Sequence, residues 1–368
     1  MTHATMMAAV LHAAGQPLRI ERIPQPEVRP HDVIVKVEAC GVIPNMNNVL
    51  AGLRQTLPPL PAVVGLDAAG VVSEIGEFVT GLAPGDRVYI NPTLSCGTCR
   101  HCHAGDSRLC SDMALRGYFG FTPGALNLMR EYPWGGYAEY TLAPQRNLLK
   151  LPDGVTFEQA ARFGYMGTAY AAVRQANIHP GSWVLINGAT GTLGVSAVMF
   201  ALASGASRIL AVGRSCDALA RVKALSPRRV VTLALGDEPL TGWIRAETGG
   251  YGPDVIIECT TQKTPPTVLQ EALACLTKGG IAVNVGGLAS EVGINPTRFM
   301  NSELHLRGSS WFEMSDIEEM AEIADKGIVD FSIFDTQAFS LNDIGRALDA
   351  VLEGQSGFTN VVVKPHMH

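Results

Sequence analysis

Short alternating runs of apolar and polar residues dominate the first 150 positions. His31–Glu38 (HDVIVKVE) and Ala68–Glu74 (AAGVVSE) read as strands set off by Gly, Pro and Asp turns, and Gly85-Asp86 turns the chain into a further strand, Arg87–Ile90. From about Phe157 the period lengthens, and Phe157–Arg174 and Val195–Ala203 read as helices. Strands recur at Trp183–Ile186, Arg208–Val212, Val230–Thr232, Val255–Glu258 and Ile281–Val285, with helical stretches between several of them. Such alternation predicts an α/β fold with a parallel, doubly wound sheet. Leu341–Glu353 predicts an amphipathic helix, with Ser340 or Asn342-Asp343 as start signals and Gly354 as the stop, and Asn360–Lys364 a closing strand. No internal repeat or low-complexity segment breaks this order.

Composition narrows the class. At 368 residues, 47% hydrophobic and 17% charged, the chain has core enough for two domains. A net charge of −6 and a pI near 5.9, with no dense Lys/Arg run, point away from a nucleic-acid partner. The opening MTHATMMAAVLHAAGQP lacks the basic and apolar regions of a secretory signal. No apolar run reaches the ~18 residues a membrane helix needs. The expectation is a soluble, cytoplasmic protein without a membrane partner.

Two stretches carry chemistry. In Ser182–Gly205 an apolar strand meets the turn Gly188-Ala-Thr-Gly191-Thr192-Leu193-Gly194 and then a helical run. A strand feeding a glycine turn into a helix aims free N–H groups and the positive helix end at one point, which suits a pyrophosphate. The spacing G-x-x-G-x-x-G is a variant of the dinucleotide fingerprint, and a purely structural turn is the plainer alternative. Four of the eight cysteines, Cys96, Cys99, Cys102 and Cys110, crowd into fifteen positions. Their spacing suits one tetrahedral zinc whose four thiolates leave no open coordination position, so the site is expected to be structural. An iron–sulfur cluster is the other use of four thiolates, with different characteristic spacings. His101 and His103 read as loop-surface imidazoles.

The order of elements resembles the medium-chain dehydrogenase/reductase family over essentially the whole chain. Gly135-Gly-Tyr-Ala-Glu-Tyr140 matches its G-G-x-A-E-Y strand, Pro61-x-x-x-Gly65-x-Asp67-x-x-Gly70 its P-x-x-x-G-x-[DE]-x-x-G stretch, and Gly85-Asp-Arg-Val88 its G-D-R-V. The resemblance implies a GroES-like β-rich catalytic domain with a structural zinc lobe (residues 1–165 and 312–368) and a Rossmann domain (166–311). It also implies an NAD(P)-dependent oxidoreductase acting on a small molecule. Such proteins are usually homodimers or homotetramers joined at the Rossmann sheet edge, here the strand near Asn301–Arg307.

The departures from the family pattern concern the catalytic zinc. Where zinc alcohol dehydrogenases carry A-x-G-[IV]-C-x-[ST]-D-x-H, this chain has Ala39-Cys-Gly-Val-Ile43-Pro44-Asn45-Met-Asn47-Asn48, with Ile43 at the cysteine ligand, Asn45 at the relay hydroxyl and Asn48 at the relay histidine. Leu66 replaces the histidine of G-H-E, and Phe163–Tyr170 offers neither cysteine nor histidine for the third ligand. Isoleucine and leucine have no lone pair to give, so the resemblance implies one structural zinc and no catalytic zinc. Cys40 reads as a small buried apolar residue rather than a displaced ligand. Gly41-Val-Ile-Pro44 and the Gly188–Gly194 loop partly resemble the zinc-free quinone and enone reductases of the family, which commonly lack the cysteine lobe.

Without zinc as Lewis acid, an acceptor activated by conjugation is the easier substrate, because hydride addition leaves a delocalised enolate. Asn45, Asn47 and Asn48 are candidate amide donors, with turn or cap roles as the alternative, and Tyr165 a donor, a proton source or pocket lining. Asp67 is a candidate to orient a neighbour or a buried water, with a structural salt bridge as the alternative. Thr168 matches a family position beside the nicotinamide, and Val285 and Gly287 match the family's backbone sites for its carboxamide. After the second Rossmann strand, an NAD enzyme places an acidic residue. Here Gly213, Arg214 and Ser215 leave room for a 2′-phosphate and supply charge and hydrogen bonds to it, which favours NADPH over NADH. Arg214 stacking on adenine is the alternative. The aromatic stretch Leu115–Trp134 is either a pocket wall or ordinary packing. The leading reading is an NADPH-dependent reductase of an activated C=C or C=O. A zinc-independent alcohol/carbonyl dehydrogenase using Asn and Tyr donors, and an inactive cofactor-binding protein, are the alternatives.

Overall fold

The computed structural model describes residues 4–54, 56–353 and 356–367. It divides into two compact units: residues 1–164, 313–355 and 359–368, and residues 165–312 with 356–358.

The first unit is built on β1 (Asp32–Gly41), which alternation alone does not describe: eight of its ten positions are buried. Other elements cover both of its faces: Ala39 packs with Phe157 and Ala161, and Ile34 with Leu94, Ala125 and Met129. From β1 the chain makes a short helix α1 (Met46–Leu50), then β2 (Ala68–Ile75), β3 (Arg87–Ile90), β4 (Tyr140–Pro144) and β5 (Leu148–Lys150). Strands β5, β3, β2 and β1 lie side by side, and β4 also pairs with β1. The stretch read as one helix from Phe157 to Arg174 is two. A turn at Phe157–Ala160, boxed by Thr156 and Gln159, ends before α2 (Phe163–Gln175), which carries the unit boundary between Gly164 and Tyr165.

The second unit follows with β6 (Trp183–Asn187), α3 (Thr192–Ala203), β7 (Arg208–Gly213), α4 (Cys216–Ala224), β8 (Val230–Ala234), β9 (Val255–Glu258), β10 (Ile281–Asn284) and β11 (His305–Gly308). The six strands are parallel in the order β8-β7-β6-β9-β10-β11, the 3-2-1-4-5-6 order of a dinucleotide-binding doubly wound sheet. Their apolar runs, not an alternation, are what the sequence shows, because helices cover both faces. Asn301, read as the start of an edge strand, instead ends the helix Pro296–Asn301, capped by Asn295, and the strand begins at His305.

The chain then returns to the first unit through α5 (Met314–Asp325), β12 (Asp335–Ser340), α6 (Ile344–Leu352) and β13 (Thr359–Lys364). β13 lies between β1 and β12, with Val362 opposite Gly41 and Val363 opposite Cys40. Leu341–Asp343 is a 3-10 turn leading into α6 rather than part of it. The expected stop, Gly354, lies outside the described residues.

Candidate active site and metal centre

The turn after β6 has the geometry that its glycines suggest. Gly188 adopts φ +73°, and a Cβ on Gly194 would stand 2.1 Å from the Gly188 carbonyl oxygen, so the helix packs tightly on the turn. Gly191 is the N-cap of α3 and makes no side-chain cap bond. The N–H groups of Thr192, Leu193 and Gly194 therefore head the helix as donors without intrahelical partners. The turn is braced from outside by Gly357, whose N–H donates to the Thr190 carbonyl at 2.8 Å. Nothing in the sequence near Gly357 signals that role.

At the end of β7, Gly213 is buried against Thr190, and Arg214 and Ser215 are exposed. The Ser215 hydroxyl accepts from the Ala218 N–H at 3.3 Å and so caps α4. Arg214 has no ion-pair or hydrogen-bond partner among the described residues. Beyond β10, the N–H groups of Val285 and Gly287 donate to the carbonyls of Glu258 (3.0 Å) and Thr260 (2.9 Å). Only their carbonyls remain to pair with an amide.

Sequence reasoning passed over Asn187, Glu258 and Asn284, which end three of these strands, and Thr260, two positions beyond one of them. Glu258, 1% exposed, accepts from Asn187 Nδ2 at 2.9 Å and from the Thr260 N–H at 2.8 Å. Asn187 Oδ1, Thr260 Oγ1 and Asn284 Oδ1 are buried without a partner, at the end of the sheet where such folds take ligands. The signal was present: VLIN, VIIE and IAVN each end an apolar run in a polar side chain. These orphaned polar groups, the open helix start and the close approach at Gly194 fit a dinucleotide. Thr168 and Tyr165, three residues apart and half-buried, lie on one face of α2.

In the first unit the four cysteine sulfurs all lie within 4.8 Å of one another, with Cys96–Cys110 at 3.5 Å and Cys99–Cys102 at 3.6 Å. Tetrahedral zinc–thiolate geometry requires spacings of this size, so the residues fit one zinc. Neither His101 nor His103 belongs to the cluster, which is the only such group of potential ligands among the described residues. Backbone N–H groups of Cys102 and Ser111 hold the Cys99 thiol down to about 5, while burial pushes Cys110 up to about 12. The lobe is tied to α5 through its N-cap Glu313, which accepts from Ser107 Oγ at 2.7 Å and from the Arg108 N–H at 2.9 Å.

Ile43 and Leu66 are 6% and 2% exposed. Beside Leu66, the fully buried Asp67 accepts from the Tyr89 hydroxyl at 2.8 Å. Burial raises its pKa to about 7, against the opposing hydrogen bonds from Tyr89 and the Gly164 backbone. The carboxyl lies against Gly164, where a Cβ would meet it at 2.3 Å. Cys40 is wholly buried, and burial, with Asp67 nearby, pushes its thiol well up. It packs as a small apolar residue.

Asn47 and Asn48 lie on α1 and Asn45 at its start. Asn45 holds the N-cap position without making a cap bond. Its Oδ1 accepts a long 3.4 Å bond from Asn48 Nδ2. Asn47 Nδ2 is buried with no acceptor, which makes it the amide most in need of one. The Leu115–Trp134 stretch includes a helix, Ala125–Glu131, and an aromatic row in which Phe119 stands 4.7 Å from Tyr118 and 5.0 Å from Phe121.

Comparison with known proteins agrees with this architecture. Residues 29–153 match the family profile "Alcohol dehydrogenase GroES-like domain" and residues 192–326 match "Zinc-binding dehydrogenase". An alcohol dehydrogenase of Geobacillus stearothermophilus is 31% identical over 353 residues, 95% of this chain and 97% of that one. An NAD-dependent alcohol dehydrogenase of Sulfolobus acidocaldarius is 31% identical over 361 residues, again 95% and 97%. The crystal structure of AibC superposes with a TM-score of 0.86 at 28% identity, over 100% of this chain and 97% of that one. Among the described residues no helix is long and apolar enough to cross a membrane. The chain belongs to the zinc-binding, alcohol-dehydrogenase-like oxidoreductases of the medium-chain dehydrogenase/reductase family.

Proposed function

We propose that this oxidoreductase reduces an activated C=C or C=O group with NADPH and without a catalytic zinc. The observation that carries the reading is the pair of buried apolar side chains, Ile43 and Leu66, at two of the three positions where the family pattern places ligands. NADPH, when bound, supplies the hydride. The open start of α3 and the Gly188–Gly194 turn hold its pyrophosphate, and the unpaired Arg214 beside Gly213 takes the 2′-phosphate. The Val285 and Gly287 carbonyls receive the carboxamide. Asn47, whose Nδ2 has no acceptor, donates to the substrate oxygen as negative charge develops there, with Asn45 and Asn48 beside it. Tyr165 is the candidate proton source. The names of relatives favour a second reading, a carbonyl/alcohol dehydrogenase that uses the same donors on an unconjugated oxygen. Some of those names carry NAD; the residues after β7 are the reason for preferring NADPH here. In this reading the protein acts in the cytoplasm as a homodimer or homotetramer paired at β11.

Metal analysis of the purified protein is expected to give one zinc per chain; two would overturn the zinc-free mechanism. NADPH oxidation is expected with conjugated enones or quinones in preference to simple ketones and alcohols. Arg214→Ala is expected to raise KM for NADPH about 10-fold and to leave KM for NADH unchanged. A native preference for NADH that survives this substitution would refute the cofactor assignment.

A further inference from the structure

Between Glu38 and Asp67 the chain carries a single charged residue, Arg54. It follows the turn that closes α1. The Ala51 N–H donates to the Asn47 carbonyl at 2.9 Å and the Leu53 N–H to the Asn48 carbonyl at 2.9 Å, so Arg54 is held on the segment that presents the three asparagines. Its guanidinium stands over the Phe119 ring, 5.0 Å from the centroid. The Gly120 N–H donates to the Thr56 carbonyl at 2.8 Å, which fixes that aromatic row to the same segment. Yet Arg54 Nε is buried with no acceptor, and no carboxylate pairs with the side chain among the described residues. A buried guanidinium N–H without an acceptor is costly to leave so. Stacking on a ring satisfies the face of the guanidinium and none of its in-plane donors.

Two unsatisfied donors, Asn47 Nδ2 and Arg54 Nε, therefore lie on one short segment, with Arg54 over Phe119 and Phe119 in turn against Tyr118 and Phe121. The donor set calls for an anionic acceptor on a flat body. A single cation suits a monoanion better than a phosphate dianion, and the guanidinium fork matches a carboxylate.

Resting on the reductase reading above, we infer that Arg54 binds a carboxylate of the substrate, so that the substrate class is a planar conjugated carbonyl compound bearing a carboxylate. Arg54 fixes that carboxylate, the aromatic row takes the flat body and Asn47 meets the carbonyl oxygen.

The test uses trans-3-benzoylacrylate and its methyl ester as paired acceptors with NADPH. The wild type is expected to favour the acid by about 10- to 100-fold in kcat/KM, the range of a charged hydrogen bond. Arg54→Met, which keeps the stem on Phe119, is expected to erase that preference through KM for the acid. It should leave the ester within about twofold, and Arg54→Lys should recover part of the gap. Calorimetric titration with the unreactive pair cinnamate and cinnamamide reads binding alone. If neither acceptor is reduced but cinnamate binds and Arg54→Met abolishes its binding, the reductase reading fails and the carboxylate site stands. If the wild type reduces acid and ester equally and cinnamate binds no more tightly than cinnamamide, the carboxylate site is refuted and the reductase reading stands. A loss in Arg54→Met that is equal for acid and ester likewise refutes it, since it marks Arg54 as packing only.

Discussion

Asp67 is a carboxyl set into the core of the first unit. It is fully buried, bonded to the Tyr89 hydroxyl and pressed against Gly164, and burial raises its pKa from 3.8 to about 7. The folded chain therefore holds a proton that the unfolded chain releases over that interval. More protons bound in the folded state mean that stability falls as pH rises from about 4 through 7. The ceiling is on the order of 4 kcal/mol, at 1.36 kcal/mol per pH unit of difference. Asp67→Asn keeps the shape and an acceptor for Tyr89 but cannot ionise. Its melting temperature is expected to fall less than that of the wild type between pH 5 and pH 8; equal falls would show that Asp67 does not set this dependence. At this scale the sequence displayed the loss of side chains able to hold zinc, because Ile43 and Leu66 stand inside fixed motifs. It did not display Asn47 as the unsatisfied amide, or Arg54. Burial of one nitrogen and stacking on a ring 65 positions later are products of the tertiary fold.

The elements legible in advance were those whose pattern arises from their own burial. β6, β7, β9 and β10 are apolar because helices cover both faces of the sheet, and the glycine turn is legible because the tight approach of Gly194 to Gly188 lies within seven residues. α1, at five residues, is too short to show a period. β12, DTQAFS, has four exposed residues at its start and is a strand only because β13 pairs with it. The cysteine lobe was legible as a spacing, but its anchor was not, since Glu313 lies 206 positions from Ser107. Zinc, when bound there, joins four thiolates on a loop that also holds the N-cap of α5. Metal loss should therefore loosen α5 as well as the lobe. Cys110, pushed up to about 12 by burial, gives up a proton when zinc binds, so acid opposes binding. Chelator is expected to strip zinc faster at pH 5.5 than at pH 8. Cys110→Ser is expected to lose the metal and several degrees of melting temperature; an unchanged melting temperature in the metal-free variant would show that the lobe adds no stability.

Across the whole molecule, the chain first leaves the first unit within α2 and returns before α5; the family resemblance sets the domain bounds near these points, whereas no change of period marks the first crossing, which falls inside one helix. The short second visit, residues 356–358, has no period to read, although Gly357 braces the glycine turn. The two edges of the parallel sheet also differ. β8 is partly covered, with Val230 and Leu233 buried, whereas all four residues of β11 are exposed, and Leu306 is 46% exposed. A bare strand edge with an apolar side chain invites pairing with another strand, and proteins that keep such an edge usually cover it. A second copy can do so by antiparallel pairing of β11 with itself about a twofold axis, which continues the sheet and closes the assembly. In that arrangement Leu306 of each copy falls near the axis. The native mass is expected at two or four times the 39.1 kDa of the chain. Leu306→Lys sets like charges against each other at the axis and is expected to halve the mass without changing the melting temperature of the subunit by more than a few degrees. Light scattering coupled to gel filtration reads both outcomes. A wild type that elutes as a monomer, or a Leu306→Lys variant of unchanged mass, would place the subunit contact elsewhere or remove it.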